Sequence, residues 1–155
     1  MGLSIMTEWD LILRLGLASV IGLALGLDRE LRGISAGIRT HALVGLSSAV
    51  ITVSALLLYE TLAANGRYEA DPLRVVQGLA QAIGFVAAGA IFVSKGDVHN
   101  LTSAANIWLA AALGIASGAG QYALVATGAV YGILILTVIR VLERRLPGND
   151  KAQRD

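Results

Sequence analysis

Apolar residues fall into five long blocks separated by short polar breaks: Trp9–Leu27, Ile38–Tyr59, Leu73–Val93, Leu101–Ala116 and Gln121–Leu142. A helix needs about 20 such residues to cross about 30 Å of hydrocarbon. Each block approaches or exceeds that length, and the fourth is the shortest. The pattern predicts an all-α fold, a polytopic membrane helix bundle of about five transmembrane helices. The breaks carry turn chemistry. In Asp28–Gly37, Ser35 is placed to cap the second helix and Gly33 and Gly37 suit a tight turn. Asn65-Gly66 is a turn signal, and Asp71-Pro72 reads as a helix start. Ser94–Asn100 is polar, and Ser117–Gly120 is short enough to make the last two helices an antiparallel hairpin.

Basic residues sort to alternate sides of these blocks. Arg29, Arg32, Arg39, Lys95, Arg140, Arg144, Arg145, Lys151 and Arg154 fall on one side, whereas only Arg67 and Arg74 fall on the other. The positive-inside bias places the N-terminus outside and the C-terminus in the cytoplasm, and an odd number of crossings agrees. Residues 1–146 are expected to form one transmembrane domain and 147–155 a short polar cytoplasmic tail. Met1–Asp10 has no Lys or Arg and carries Glu8 and Asp10, which argues against a cleaved signal peptide.

Composition sharpens the picture. Hydrophobic residues are 55% of the 155, the mean hydropathy is +0.69, and there are 18 glycines. Small residues let helices approach closely in lipid, where hydrophobic expulsion does not drive association. Ala18, Gly22 and Gly26 form one ridge at four-residue spacing, and Gly16 adds to it. Ala110, Gly114 and Gly118 form a second, and Gly128 and Gly132 a third. These ridges serve either packing within one bundle or the seam of a homo-oligomer, with a dimer favoured. The absence of cysteine removes disulfides, thiolate metal sites and thiol nucleophiles. A net charge of +1 gives no reason to expect nucleic acid.

Polar groups within lipid are costly unless paired, so each is a functional candidate. The densest cluster is Asp28, Arg29 and Glu30 followed by Arg39, Thr40 and His41, across the first loop. Asp28 or Glu30 is expected to pair with Arg39. The two carboxylates are weak metal candidates, since Mg²⁺ needs only one or two plus waters. A second set is a stripe of Arg74, Gln77 and Gln81 on the third helix with Thr102 and Asn106 on the fourth. If the two faces meet, Gln81 and Asn106 either clamp the helices or line a polar crevice. Asp10 and Arg14 are four apart and are expected to pair. His41 and His99 read as interfacial histidines, Trp9 as an aromatic-belt residue, and Trp108 as packed on a neighbouring helix. Gly45-Leu46-Ser47-Ser48 lacks the arrangement of a serine nucleophile. No cofactor is implied, and the sequence predicts no enzyme.

Two segments, Gly26-Leu27-Asp28-Arg29-Glu30 and Ala36-Gly37-Ile38-Arg39-Thr40-His41-Ala42-Leu43-Val44, resemble the signature of the MgtC/SapB family of bacterial inner-membrane proteins. So do Ile83-Gly84-Phe85 with Ala88-Gly89, and Leu101-Thr102-Ser103-Ala104-Ala105 with Ile107-Trp108. The chain differs where the family usually has Glu at Asp28, Gly at Ala87, and Gly-Leu-Thr-Thr over Asn100-Leu101-Thr102-Ser103. Longer members add a soluble C-terminal domain, and only the transmembrane module matches here. The resemblance implies a non-enzymatic inner-membrane protein associated with survival at low Mg²⁺, virulence or acid stress. It also implies regulation of other membrane complexes, such as the F-type ATP synthase. A small transporter or channel for Mg²⁺ or another ion is the alternative.

Overall fold

A computed structural model describes residues 6–67, 70–94 and 97–143. The order is α1 (Glu8–Leu31), α2 (Ile38–Ala64), α3 (Leu73–Ala90), β1 (Phe92–Ser94), β2 (Asp97–His99), α4 (Leu101–Gly118) and α5 (Tyr122–Leu134). A π-helical turn, Ile135–Ile139, carries the last helix on into a short α6 (Arg140–Glu143). The five spans are long and apolar enough to cross a membrane, the last of them Tyr122–Ile139. The expected tail, together with Lys95, Arg144, Arg145, Lys151 and Arg154, lies outside the described residues.

Helix ends follow their sequence signals in most places. Thr7 and Asp10 form a capping box on α1, with the Asp10 backbone N–H donating to the Thr7 hydroxyl at 3.2 Å. Asp71 accepts from the Leu73 N–H at 2.9 Å and starts α3. Gly33 follows the end of α1 with φ +65°, a left-handed conformation in which a side chain would be strained. The third helix is shorter than expected. It stops at Ala90, and Ile91 turns extended at ψ 131°. Beyond it Phe92 and Val93, aromatic and β-branched, pair with His99 and Val98 in an antiparallel two-stranded ribbon rather than adding a helical turn.

The first, second and fourth helices form the centre. α1 and α2 are an antiparallel hairpin in which backbones touch. A Cβ on Gly22 would sit 2.5 Å from the His41 carbonyl oxygen and 2.7 Å from the Ala42 Cα, and one on Gly26 would sit 2.6 Å from the Ile38 Cα. α4 lies against both. Its Gly118 is as close to Ala49 of α2, where a Cβ would be 2.6 Å from the carbonyl oxygen. All three ridges therefore pack inside one bundle. Gly128 and Gly132 of α5 receive the methyl groups of Leu113 and Leu109. Packing within one bundle is one of the two uses expected of them.

α4 comes from the shortest of the apolar blocks, yet it is the axis of the fold. Within its span window 61% of residues are buried, against 17–28% for the other four spans. Protein neighbours receive its Ser103, Asn106 and Ser117 side chains. α3 and α5 flank it from outside. α3 contributes Leu79, Ile83 and Ala87 to a cluster with Ala104, Ile107 and Ala111 of α4. Trp108 faces outward at 44% exposure, contrary to the expected packing on a neighbouring helix, because the buried face of α4 is taken by alanines.

Candidate functional site

The polar residues gather at two levels of the α1–α2–α4 core. At the α1 N-terminal end, Arg14 does not bond Asp10, whose carboxylate is held by the Thr7 N–H and hydroxyl. Its guanidinium Nη1 instead donates to the Gly118 carbonyl at 2.7 Å, and the Ser117 hydroxyl donates to the Arg14 carbonyl at 2.7 Å. A cation thus closes the C-terminal end of α4, where the helix dipole favours positive charge. Arg14→Leu should lower thermal stability in detergent by about 1–2 kcal/mol, and Arg14→Lys should recover part of it.

The opposite end carries the cluster anticipated from sequence, joined differently. Asp28 pairs with Arg32 at 2.8 Å, one helical turn away. Glu30 accepts from the Ile38 N–H at 3.1 Å and so caps α2, the role expected of Ser35. Its carboxylate also fills the space beside Gly37, where a Cβ would collide with it. Neither carboxylate forms an ion pair with Arg39, which is exposed, and Thr40 is half-buried. The expected pair with Arg39 fails because Asp28 finds a donor one turn along and Glu30 reaches the free N–H at the start of α2.

Arg29 and His41 are the buried members, 2% and 0% exposed. His41 is therefore a core residue and not an interfacial one. Its Nδ1 donates to the Gly37 carbonyl at 2.9 Å, which orients the ring along α2. His99 stacks on Phe92 with ring centroids 4.9 Å apart, on the β-ribbon.

Sequence reasoning passed over the residues that tie this end together. Asn100 Nδ2 donates to the Ser35 hydroxyl at 2.6 Å and to the Ala90 carbonyl at 3.1 Å. The Ser103 hydroxyl reaches the Ser35 carbonyl at 3.4 Å. The α1–α2 turn, the end of α3 and the start of α4 are thus laced by one asparagine and two serines. The available signal was an asparagine directly before an apolar run, at a loop that had to reverse direction. Asn106 Nδ2 donates to the Leu25 carbonyl at 3.0 Å and binds α4 to α1. The stripe is not assembled. Arg74, Gln77, Gln81 and Thr102 are all exposed, and Asn106 faces the other way into the core.

Among the described residues, no three His, Cys, Asp or Glu side chains come together in a group able to hold a metal. The buried polar atoms with no hydrogen-bond partner among those residues include His41 Nε2, Ser48 Oγ and Asn106 Oδ1.

Five apolar helices with a close-packed, polar-laced centre define a multi-pass helical membrane protein. The sequence model of the MgtC family matches residues 15–145. YhiD of Escherichia coli (strain K12), named "Putative magnesium transporter YhiD", is 36% identical over 137 residues, 88% of this chain and 64% of its own. Protein SapB of Bacillus subtilis (strain 168) is 38% identical over 114 residues, 73% of this chain and 49% of its own. Protein MgtC of Brucella abortus (strain 2308) is 33% identical over 125 residues, 81% of this chain and 49% of its own. The chain belongs to the MgtC family, and it spans about half to two thirds of the length of these relatives. No solved structure matches it.

Proposed function

We propose that this chain is a non-enzymatic membrane module that adjusts other membrane proteins under stress such as low Mg²⁺ or acid, acting through helix contacts. In this reading the end carrying Asp28–His41 faces the cytoplasm, as the arginine distribution favours. The carrying observation is the closed centre. A Cβ on Gly45 would lie 2.8 Å from the Ala18 carbonyl oxygen of α1, and one on Gly118 would lie 2.6 Å from the Ala49 carbonyl oxygen of α2. Three helices in backbone contact leave no room between them for a hydrated ion. Family membership supports the setting, and the buried, internally bonded His41 and enclosed Ser48 do not form a nucleophile–base pair.

Transport of Mg²⁺ or another ion is the second reading. It is favoured by the name of YhiD and by the unpaired core atoms of His41, Ser48 and Asn106, which are potential cation or water contacts. One experiment separates the two. The protein is tested for rescue of growth at low Mg²⁺ in a bacterial host lacking its own family member, and for Mg²⁺ flux in proteoliposomes. Rescue together with flux equal to that of protein-free vesicles is the expected outcome. Flux well above that background, abolished by Asn106→Leu, would establish transport in its place.

A further inference from the structure

The outer face of α3 is unusual for a helix beside lipid. The helix is 18 residues long and its inward residues are Leu79, Ile83 and Ala87. At about 100° per residue, Gln81 lies roughly 160° from both Leu79 and Ile83. It therefore points directly away from the bundle, and it is exposed. Gln77 and Arg74 share that side, one and two turns toward the start of the helix, and both are exposed. Phe85, one turn further on, is 83% exposed. Gln81 stands about 12 Å from either end of α3, near the middle of the span.

A carboxamide at that depth cannot be left against hydrocarbon. With no water to replace its hydrogen bonds, each unsatisfied group is costly, and long cationic side chains can escape to the interface whereas a mid-span glutamine cannot. The side chains of the bundle offer it nothing, since they lie on the far side of α3. The cover must therefore come from outside the described bundle.

We infer that a second copy of this chain covers this face, with α3 packed on α3 about a two-fold axis along the membrane normal. The amide chemistry selects that occupant. Copies insert with one orientation, so α3 and its partner run parallel and each residue on the axis meets itself at equal depth. A primary amide carries both donors and an acceptor. Two Gln81 side chains facing each other exchange N–H···O bonds in both directions and are satisfied without any other partner. A cation or a carboxylate there would repel its own copy. Gly78 leaves open space beside Gln81, with no atom within 4 Å of where its Cβ would be, so the two backbones can approach. Arg74 lies about 10 Å along the axis from Gln81, where crossing helices diverge and its long stem reaches the headgroups. The inference goes beyond the proposed function: the dimer stands or falls whether or not the module moves ions.

The chain has no cysteine, so a single introduced thiol reports its own contacts without background. Gln81→Cys and Phe85→Cys are oxidised in native membranes beside Val130→Cys, an exposed position on α5. Disulfide-linked dimers of this chain at 81 and 85 and not at 130 are expected. In a lipid-dilution series followed by subunit counting, Gln81→Leu should weaken self-association roughly tenfold, with Gln81→Asn intermediate. Because Gln81 is exposed and makes no hydrogen bond within the described bundle, the leucine variant should keep the parental unfolding temperature. Crosslinking at 130 equal to that at 81, no crosslink at either α3 position, crosslinks only to a different protein, or unchanged association of the leucine variant would each overturn the inference.

Discussion

Gly114→Leu is expected to prevent stable folding, or to lower stability by at least about 3 kcal/mol. A Cβ at this position would run into the Gly45 carbonyl oxygen of α2 and lie 2.9 Å from the Ser48 Cβ. Neither neighbour is the free end of a flexible side chain. Nor can α2 retreat, because Gly45 is itself pinned from the other side, its own Cβ position lying 2.8 Å from the Ala18 carbonyl oxygen of α1. At this level three backbones are stacked with only hydrogen atoms between them. Helix association in lipid draws on van der Waals contact and interhelical hydrogen bonds, so forcing the helices apart forfeits the main attraction along their whole length. Even Gly114→Ala should cost about 1–3 kcal/mol. Gly16 supplies the control. It is also a helical glycine, but no atom lies within 4 Å of its Cβ position, and Gly16→Leu should be close to neutral. Thermal unfolding in detergent micelles compares the three. Equal midpoints for Gly114→Leu and Gly16→Leu would mean that the triple backbone contact does not hold the fold.

The five spans were legible because length and apolarity are properties of one segment alone. Which side of each span faces inward was not. In water a polar stripe marks the outside, and in lipid the same stripe is expected inside. Gln77 and Gln81 were accordingly expected to face α4, as a clamp or the lining of a crevice, yet Leu79, Ile83 and Ala87 face it. α4 was legible as a span and not as the centre, for a related reason. Its Asn106, Ser103 and Ser117 weaken it as a lipid-facing helix and strengthen it as a central one, because each meets a carbonyl of α1 or of the α1–α2 turn. The glycine ridges announced close approach, but spacing carries no information about what approaches. The charged turn was legible in its membership and not in its pairing, which depended on whether Glu30 reached Arg39 or the nearer free N–H of Ile38.

Asn100 is where those threads meet, and Asn100→Val should destabilise the protein by about 3–4 kcal/mol. The residue has φ +65° and ψ 23°, left-handed values that asparagine tolerates and a β-branched side chain does not. It is 8% exposed, so water does not make good a lost bond. Its amide nitrogen holds the Ser35 hydroxyl at 2.6 Å and the Ala90 carbonyl at 3.1 Å. Valine removes both bonds and strains the backbone. Asn100→Gly removes the same bonds and keeps the backbone conformation free, so it should cost only about 1–2 kcal/mol. The difference between the two variants isolates the backbone contribution, and their common part isolates the lacing of three segments through one side chain. Unfolding midpoints in the order wild type, Asn100→Gly, Asn100→Val are expected. A glycine variant as unstable as the valine one would show that the hydrogen bonds alone fix the turn into α4. A glycine variant as stable as wild type would mean that the link to Ser35 and Ala90 contributes nothing, and that the charged turn is held by Glu30 and His41 unaided.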